Sequence, residues 1–252
     1  MSKKLRLIAT EPTADKLGDR NVNMREELVM AVQGFKTLTE KRVMAACVAK
    51  LDSVSLDNHG RYRIKLTADE YASTYHSVDK DKAYELLKRT MRVLRQREFR
   101  YARKDGRHTR ECVHSWVTGA EYLPKTGTVE VFFNVEATPL LLNLRGKYAG
   151  YLLKQAADLR SLTSWRLLEM LSRYKDTGWF QVSVDDFAKA MEAKQTYLKN
   201  FAQLRRWIIE PAVKELTGKD GWLIKWQPIK EGRKVTALRF EFKRDPQGRL
   251  PV

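Results

Sequence analysis

Residues 197–216, YLKNFAQLRRWIIEPAVKEL, set two adjacent arginines into a helix with a strong apolar stripe. Side chains three and four apart share a helix face. Tyr197, Phe201, Leu204 and Ile208, extended by Ala212 and Leu216, make the face that packs on a core. The other face carries Lys199, Gln203 and Arg206, with Arg205 at its edge. Arginine's planar fork matches the O6 and N7 of guanine, and glutamine can pair with adenine. The chemistry this pattern suits is base readout from a major groove; a plain solvated face is the simpler alternative. Residues 82–99, KAYELLKRTMRVLRQREF, repeat the layout. Tyr84, Leu87, Met91 and Leu94 point inward, and Lys82, Lys88, Arg89 and Arg92 point outward.

Both helices are followed by basic β-hairpin patterns. Residues 92–110 hold eight basic residues and two acidic ones. Lys230, Arg233 and Lys234 occupy the turn of the last hairpin. Lysine and arginine on a wing beside a recognition helix can touch phosphates, which supplies affinity rather than sequence choice.

Other chemistries find little support. No GxxxxGK[ST] run is present, so no P-loop is expected. No paired-histidine motif of the nicking enzymes occurs. In HTRECVH, the residues His108, Cys112 and His114 lie close, but a fourth ligand is missing and the spacing suits a half-exposed strand better than a metal site. Asp69-Glu70 and Asp185-Asp186 fall at helix starts, where acids offset the macrodipole. No catalytic residue, metal or cofactor is therefore expected; a DNA-nicking enzyme stands as the alternative from another class.

Composition points the same way. The chain has 252 residues, is 43% hydrophobic and carries a formal charge of +17, an excess that fits a polyanionic partner. No run of about 18 apolar residues is available for a membrane span. The first residues, MSKKLRLIATEPTADK, lack a signal-peptide core and read as a loose arm. Two distant cysteines, Cys47 and Cys112, make no disulfide framework and suit a reducing cytoplasm.

Stepping along the chain gives one plan twice. LTEKRV opens the first helix, with Thr39 as its expected cap, and LTSWRL opens its counterpart, with Ser161 or Thr163. RYRIKL and WFQVSV follow as strands. TADEYA, with a Thr67–Glu70 capping box, and SVDDFAKA follow as short helices. Then comes the long helix, then a hairpin. Helix, strand, helix, helix, hairpin is the order of a winged helix. The fold class expected is α+β, two tandem winged-helix domains in pseudo-repeat. Residues 1–21 are the arm, 22–135 the first domain and 136–160 an ordered connector, helical over YAGYLLKQAADL. Residues 161–244 are the second domain and 245–252 a tail.

The run F-x-x-L-R-R-x-I-I-x-P-A-V-x-E-L, with LTSWRLLEMLSRYKDTGWFQVSVDDFAKAM before it and GRKVTALRFEF after it, resembles the second winged helix of the iteron-binding plasmid replication initiators. FKTLTEKRVMAACVAKL and the long basic helix resemble their first, more loosely. The likeness spans residues 22–244, behind an arm shorter than in longer members. The resemblance implies binding to direct repeats in double-stranded origin DNA, one winged helix to each end of a repeat. The helix bearing Arg205 and Arg206 supplies most base readout. It further implies monomers that help melt the origin and recruit the host initiator DnaA, DnaB helicase and polymerase. Dimers formed through the first domain repress their own gene or restrain copy number, and chaperones convert dimer to monomer. A winged-helix transcriptional regulator is the nearer alternative.

Two recognition helices on one face of B-DNA stand about 34 Å, or ten base pairs, apart. A site of about 20 base pairs follows, and it need not be palindromic, because the two halves differ in sequence.

Overall fold

The computed structural model describes residues 16–52, 54, 56, 57, 61–142, 144, 147–219 and 221–244. Most of the expected arm and all of the expected tail lie outside them.

The chain begins with strand β1 (Asn21–Arg25) and a single helical turn, α1 (Glu26–Val29). Helix α2 (Leu38–Leu51) follows. Its cap is Thr37, not Thr39: the Thr37 side chain accepts from the Glu40 amide at 3.2 Å. Both threonines suit the role, and tertiary contacts choose between them. Glu40 turns back to accept from the Lys36 amide at 3.0 Å and from Arg97 Nε at 2.7 Å. Starting the helix at Leu38 places that carboxylate correctly.

Strand β2 (Arg63–Thr67), helix α3 (Ala68–Thr74) and helix α4 (Lys80–Leu94) come next. The Thr67–Glu70 capping box is formed. On α4, Leu87, Met91 and Leu94 are buried. Four strands follow: β3 (Glu98–Asp105), β4 (His108–Ser115), β5 (Val117–Leu123) and β6 (Thr128–Phe133).

The next segment differs from expectation. Residues 148–152, expected to be helical, form strand β7 (Tyr148–Leu152), antiparallel to β1 with Val22 opposite Tyr151. Its alternating burial matches a strand. Only α5 (Leu153–Ala157) is helical there. The β1–β7 ribbon packs on α2 on one side and on helix α6 (Leu162–Arg173) on the other.

The second half runs β8 (Trp179–Ser183), α7 (Val184–Ala190), α8 (Gln195–Leu198) and α9 (Phe201–Leu204). A π-helical turn (Arg205–Ile209), α10 (Glu210–Lys219), β9 (Trp222–Glu231) and β10 (Lys234–Arg244) complete it. Its sheet has the order β8-β10-β9; the first half has β2-β6-β5. In each, the strand before the two consecutive helices pairs with the last strand, and the last strand is central. Both halves are winged helices. The β3–β4 hairpin is an insertion: it forms its own two-stranded sheet. The basic run 92–110, expected in the wing, therefore largely occupies this insertion, and the wing of the first half is the β5–β6 turn carrying Lys125.

One apolar core continues through both halves. Helix α6 is buried on every side, Trp165, Leu167, Leu168, Met170 and Leu171 among them. Two charged residues are buried with them. Arg166 Nη1 donates to Glu169 Oε2 at 2.6 Å, and Arg166 Nη2 donates to the carbonyls of Val29 and Ala31 at 2.8 Å each. Glu169 also accepts from Lys41 on α2. Burial raises the pKa of Glu169, but the Lys41 and Arg166 charges outweigh it and hold the carboxyl below its ordinary value. A buried charge is tolerable when paired and hydrogen-bonded; here the pairing ties α6 to α2 and to the segment after α1.

Candidate nucleic-acid interface

The helix of residues 197–216 is not one uniform rod. A first turn, α8, ends at Leu198. Asn200 is extended and caps the next stretch, its Oδ1 accepting from the Ala202 amide at 3.1 Å. From Phe201 the backbone is helical to Lys219, with the π turn in its middle. Pro211 explains the π turn. It has no N–H to give to the carbonyl of Trp207, four residues back, and its ring crowds that carbonyl. Widening the preceding turn relieves this, and the Glu210 amide reaches the Arg205 carbonyl. Arg205, Arg206 and Trp207 emerge as three consecutive exposed residues, while Leu204, Ile208 and Ile209 remain buried.

A groove of about 740 Å³ runs between the start of this rod and the β9–β10 wing. Lys199, Asn200, Ala202 and Arg205 line it from the rod, and Lys230, Arg233, Lys234 and Thr236 from the wing. Five cations meet a single carboxylate there, that of Asp185. The groove's positive field suits an anion the width of a nucleic-acid backbone. Arg205 is held in place: its Nε donates to Glu210 Oε1 at 2.6 Å, and its guanidinium lies 5.9 Å from the ring of Trp226. Phe201 meets Trp226 edge-on at 6.5 Å and supports that wall.

The structure thus gathers five of the seven candidates of the second half. Gln203 and Arg206 are outside the groove. Gln203 Oε1 accepts from Trp207 Nε1 at 2.7 Å, and the Arg206 guanidinium lies 5.1 Å from the Trp207 ring. The expected face carried Lys199, Gln203 and Arg206 with Arg205 at its edge; the groove takes in Lys199 and Arg205 and leaves Gln203 and Arg206 beside Trp207. Asn200, Thr236 and Trp226 were not anticipated. An Asn immediately before a helical run is an N-cap signal, and a Pro four residues after Trp207 is a disruption signal.

In the first half, Arg89 and Arg92 are exposed on α4 and, among the described residues, meet no carboxylate. Lys88 is less available: its Nζ sits 3.4 Å from Glu85 Oε1 and 6.0 Å from the Tyr84 ring centre. On the inserted hairpin, Arg103, Lys104, Arg107 and Arg110 are exposed. His114 packs on Phe99 and Tyr101, with ring centres 5.6 and 6.2 Å apart, which accounts for it as a packed strand residue. Among the described residues no cluster of ligating side chains is arranged to hold a metal, and no helix is long and apolar enough to cross a membrane.

Comparison with known proteins agrees with this geometry. A crystal structure of the Pi initiator protein in complex with iteron DNA superposes with a TM-score of 0.72. The match covers 91% of this chain and 99% of that one at 23% identity, a likeness of fold. An uncharacterized 27.6 kDa protein of Escherichia coli is 25% identical over 233 residues, 87% of this chain and 95% of that one. A probable replication protein rep of Bifidobacterium longum (strain NCC 2705) is 26% identical over 122 residues, 48% of this chain and 40% of that one. Residues 21–172 match the family described as Initiator Replication protein, WH1, and residues 183–242 match Initiator Rep protein, WH2. The chain belongs to this family of plasmid replication initiators.

Proposed function

We propose that the chain binds direct repeats in double-stranded origin DNA with sequence specificity and has no catalytic activity of its own. The observation that carries this reading is the groove between rod and wing, where Lys199, Arg205, Lys230, Arg233 and Lys234 face one carboxylate. Arg205 reads bases at the groove wall, and the lysines hold phosphates. Gln203 and Arg206 flank that contact. Arg89 and Arg92, with Lys88 behind them, engage the other end of the repeat. The fold neighbour crystallised on iteron DNA supports binding to such repeats, not the residue roles.

In this reading residues 22–135 form a unit that both contacts DNA and dimerises, 136–160 connect, and 161–244 carry most base readout. Monomers help open the adjacent duplex and recruit DnaA and DnaB helicase; dimers repress the initiator's own gene, and chaperones convert dimer to monomer. The protein works in the bacterial cytoplasm on its plasmid.

The test is a footprint on the DNA upstream of the coding region. Protection of tandem repeats of about 20 base pairs beside an A·T-rich tract is expected. Protection of a single promoter operator, with no support of plasmid replication, would select a transcriptional regulator. Relaxation of supercoiled DNA in a divalent metal would select a nickase.

A further inference from the structure

Glu192 stands at the turn between α7 and the DNA-reader rod, and its backbone is unusual. It is the one non-glycine residue with positive φ among the described residues, at 51°. The amide of Ala193 donates to the Ala188 carbonyl at 2.9 Å, and the Glu192 amide to the Lys189 carbonyl at 3.0 Å. That is the Schellman ending of a helix, in which the left-handed position favours glycine. Strain of this kind persists where surroundings over-determine it, and an outlier is a starting point for a functional hypothesis.

The surroundings are in the other half of the molecule. Glu192 Oε1 accepts from the amides of Gln33 at 2.9 Å and Gly34 at 3.0 Å, and Oε2 is 3.2 Å from the Gly34 amide. That segment is itself immobilised. Val32 exchanges backbone hydrogen bonds with Arg100 at the root of the β3–β4 hairpin, at 3.0 and 2.8 Å. The Gln33 carbonyl accepts from Trp116 Nε1 at 2.9 Å. The Gln33 side chain accepts from Lys41 Nζ at 2.6 Å and donates to Glu169 Oε2 at 3.1 Å. Gly34, at φ 75°, lies so close to the Glu98 carbonyl that a Cβ there would sit 2.2 Å from its oxygen. One carboxylate therefore ties the turn of the second helix-turn-helix to the most rigid corner of the first half.

We propose that Glu192 is a positioning residue that fixes the distance and angle between the two DNA-reading helices, making the protein a ruler for half-site spacing. The proposal rests on the DNA-binding function above. Glu192 carries the constraint directly into the turn that launches the rod.

The experiment compares the full-length wild type with Glu192→Gly, whose backbone suits the turn, and Glu192→Gln, which keeps an acceptor. The probe is a duplex selected by the wild type from a random-sequence pool, then remade with one base pair inserted or removed at its centre. The wild type is expected to lose about tenfold or more in affinity on either change, the scale of a misplaced contact. Glu192→Gly is expected to bind all three duplexes within about threefold, with unchanged thermal stability, and Glu192→Gln to fall between. Equal spacing dependence in wild type and Glu192→Gly, or none in the wild type, overturns the proposal while leaving DNA binding intact. A DNA-free readout separates the two ideas if no duplex is selected. Nitroxide labels at Glu85 and Lys214, in a Cys112→Ser background, should give a narrow distance distribution in the wild type and a broad one in Glu192→Gly. An unchanged distribution overturns the proposal.

Discussion

Arg166 and Glu169, one turn apart on a helix buried on all sides, meet at 2.6 Å and tie that helix to the N-terminal elements. Arg166 reaches the carbonyls of Val29, the last residue of α1, and Ala31 just beyond it, and Glu169 takes the Lys41 ammonium from α2. Removing the anion would strand two buried cations. Glu169→Ala is expected to cost about 3–5 kcal/mol of folding stability, the usual penalty for breaking a buried pair from one side. Urea midpoints measure it; a loss below 1 kcal/mol, on the scale of an exposed pair, would show that water reaches the site.

Arg205 and Arg206 separate by location. Arg205 lines the groove and Arg206 stacks beside Trp207 outside it. Arg205→Ala is expected to cost about 1–3 kcal/mol on the specific duplex and little on random DNA. Arg206→Ala should cost less. Lys230→Ala and Lys234→Ala should weaken both duplexes alike, each lowering the slope of log affinity against log salt by about one. Titrations at several salt concentrations distinguish the classes. A larger specific loss from Arg206→Ala than from Arg205→Ala would favour the face read from helical periodicity over the groove.

That contrast shows what periodicity can and cannot deliver. The inward stripe of Leu204, Ile208, Ala212 and Leu216 was legible because burial acts on side chains three and four apart, and all four are buried. The outward side was legible only as a set of exposed residues, because which of Arg205 and Arg206 enters the groove depends on the wing opposite, of which periodicity carries no trace. Residues 148–152 were misread as helix because their partner, β1, lies more than 120 positions earlier, and local patterning carries no trace of a distant edge. Wing and insertion look alike in sequence, since each is an alternating hairpin; only the pairing of β6 with β2 identifies which one belongs to the sheet. The role of Glu192 was invisible, because its amide partners belong to residues some 160 positions away.

Pro211 offers a test of the π turn. Replaced by alanine, the chain regains an amide that can donate to the Trp207 carbonyl, and a regular α-helix becomes available. Proline inside a helix is disfavoured by about 3 kcal/mol relative to alanine. Pro211→Ala is therefore expected to melt no lower than the wild type, yet to bind specific DNA more weakly, because the rotation that places Arg205 in the groove is lost. Calorimetry and equilibrium binding read the two effects separately. Unchanged affinity with an intact groove would mean that packing of Leu204 and Ile208, rather than the proline, sets the turn.

The pH response follows from carboxylates that hold their charge in the fold. Burial raises the pKa of Glu26, Glu40 and Glu215, but hydrogen bonds and nearby cations outweigh it, and all three stay below the ordinary carboxylate value. For Glu26 the donors are Arg173 Nη2 and the Tyr174 hydroxyl, each at 3.0 Å and each from the other half. A lowered folded pKa means that the unfolded chain binds more protons in this range, so stability rises with pH there. The contribution is complete above the unfolded value of about 4.3 and is lost as pH falls through the lower folded values. Stability in urea should therefore be flat from neutrality to about pH 5 and decline steeply below it. Glu26→Gln should reduce the steepness and loosen the contact between halves. A decline already complete by about pH 6 would assign the transition to histidine instead.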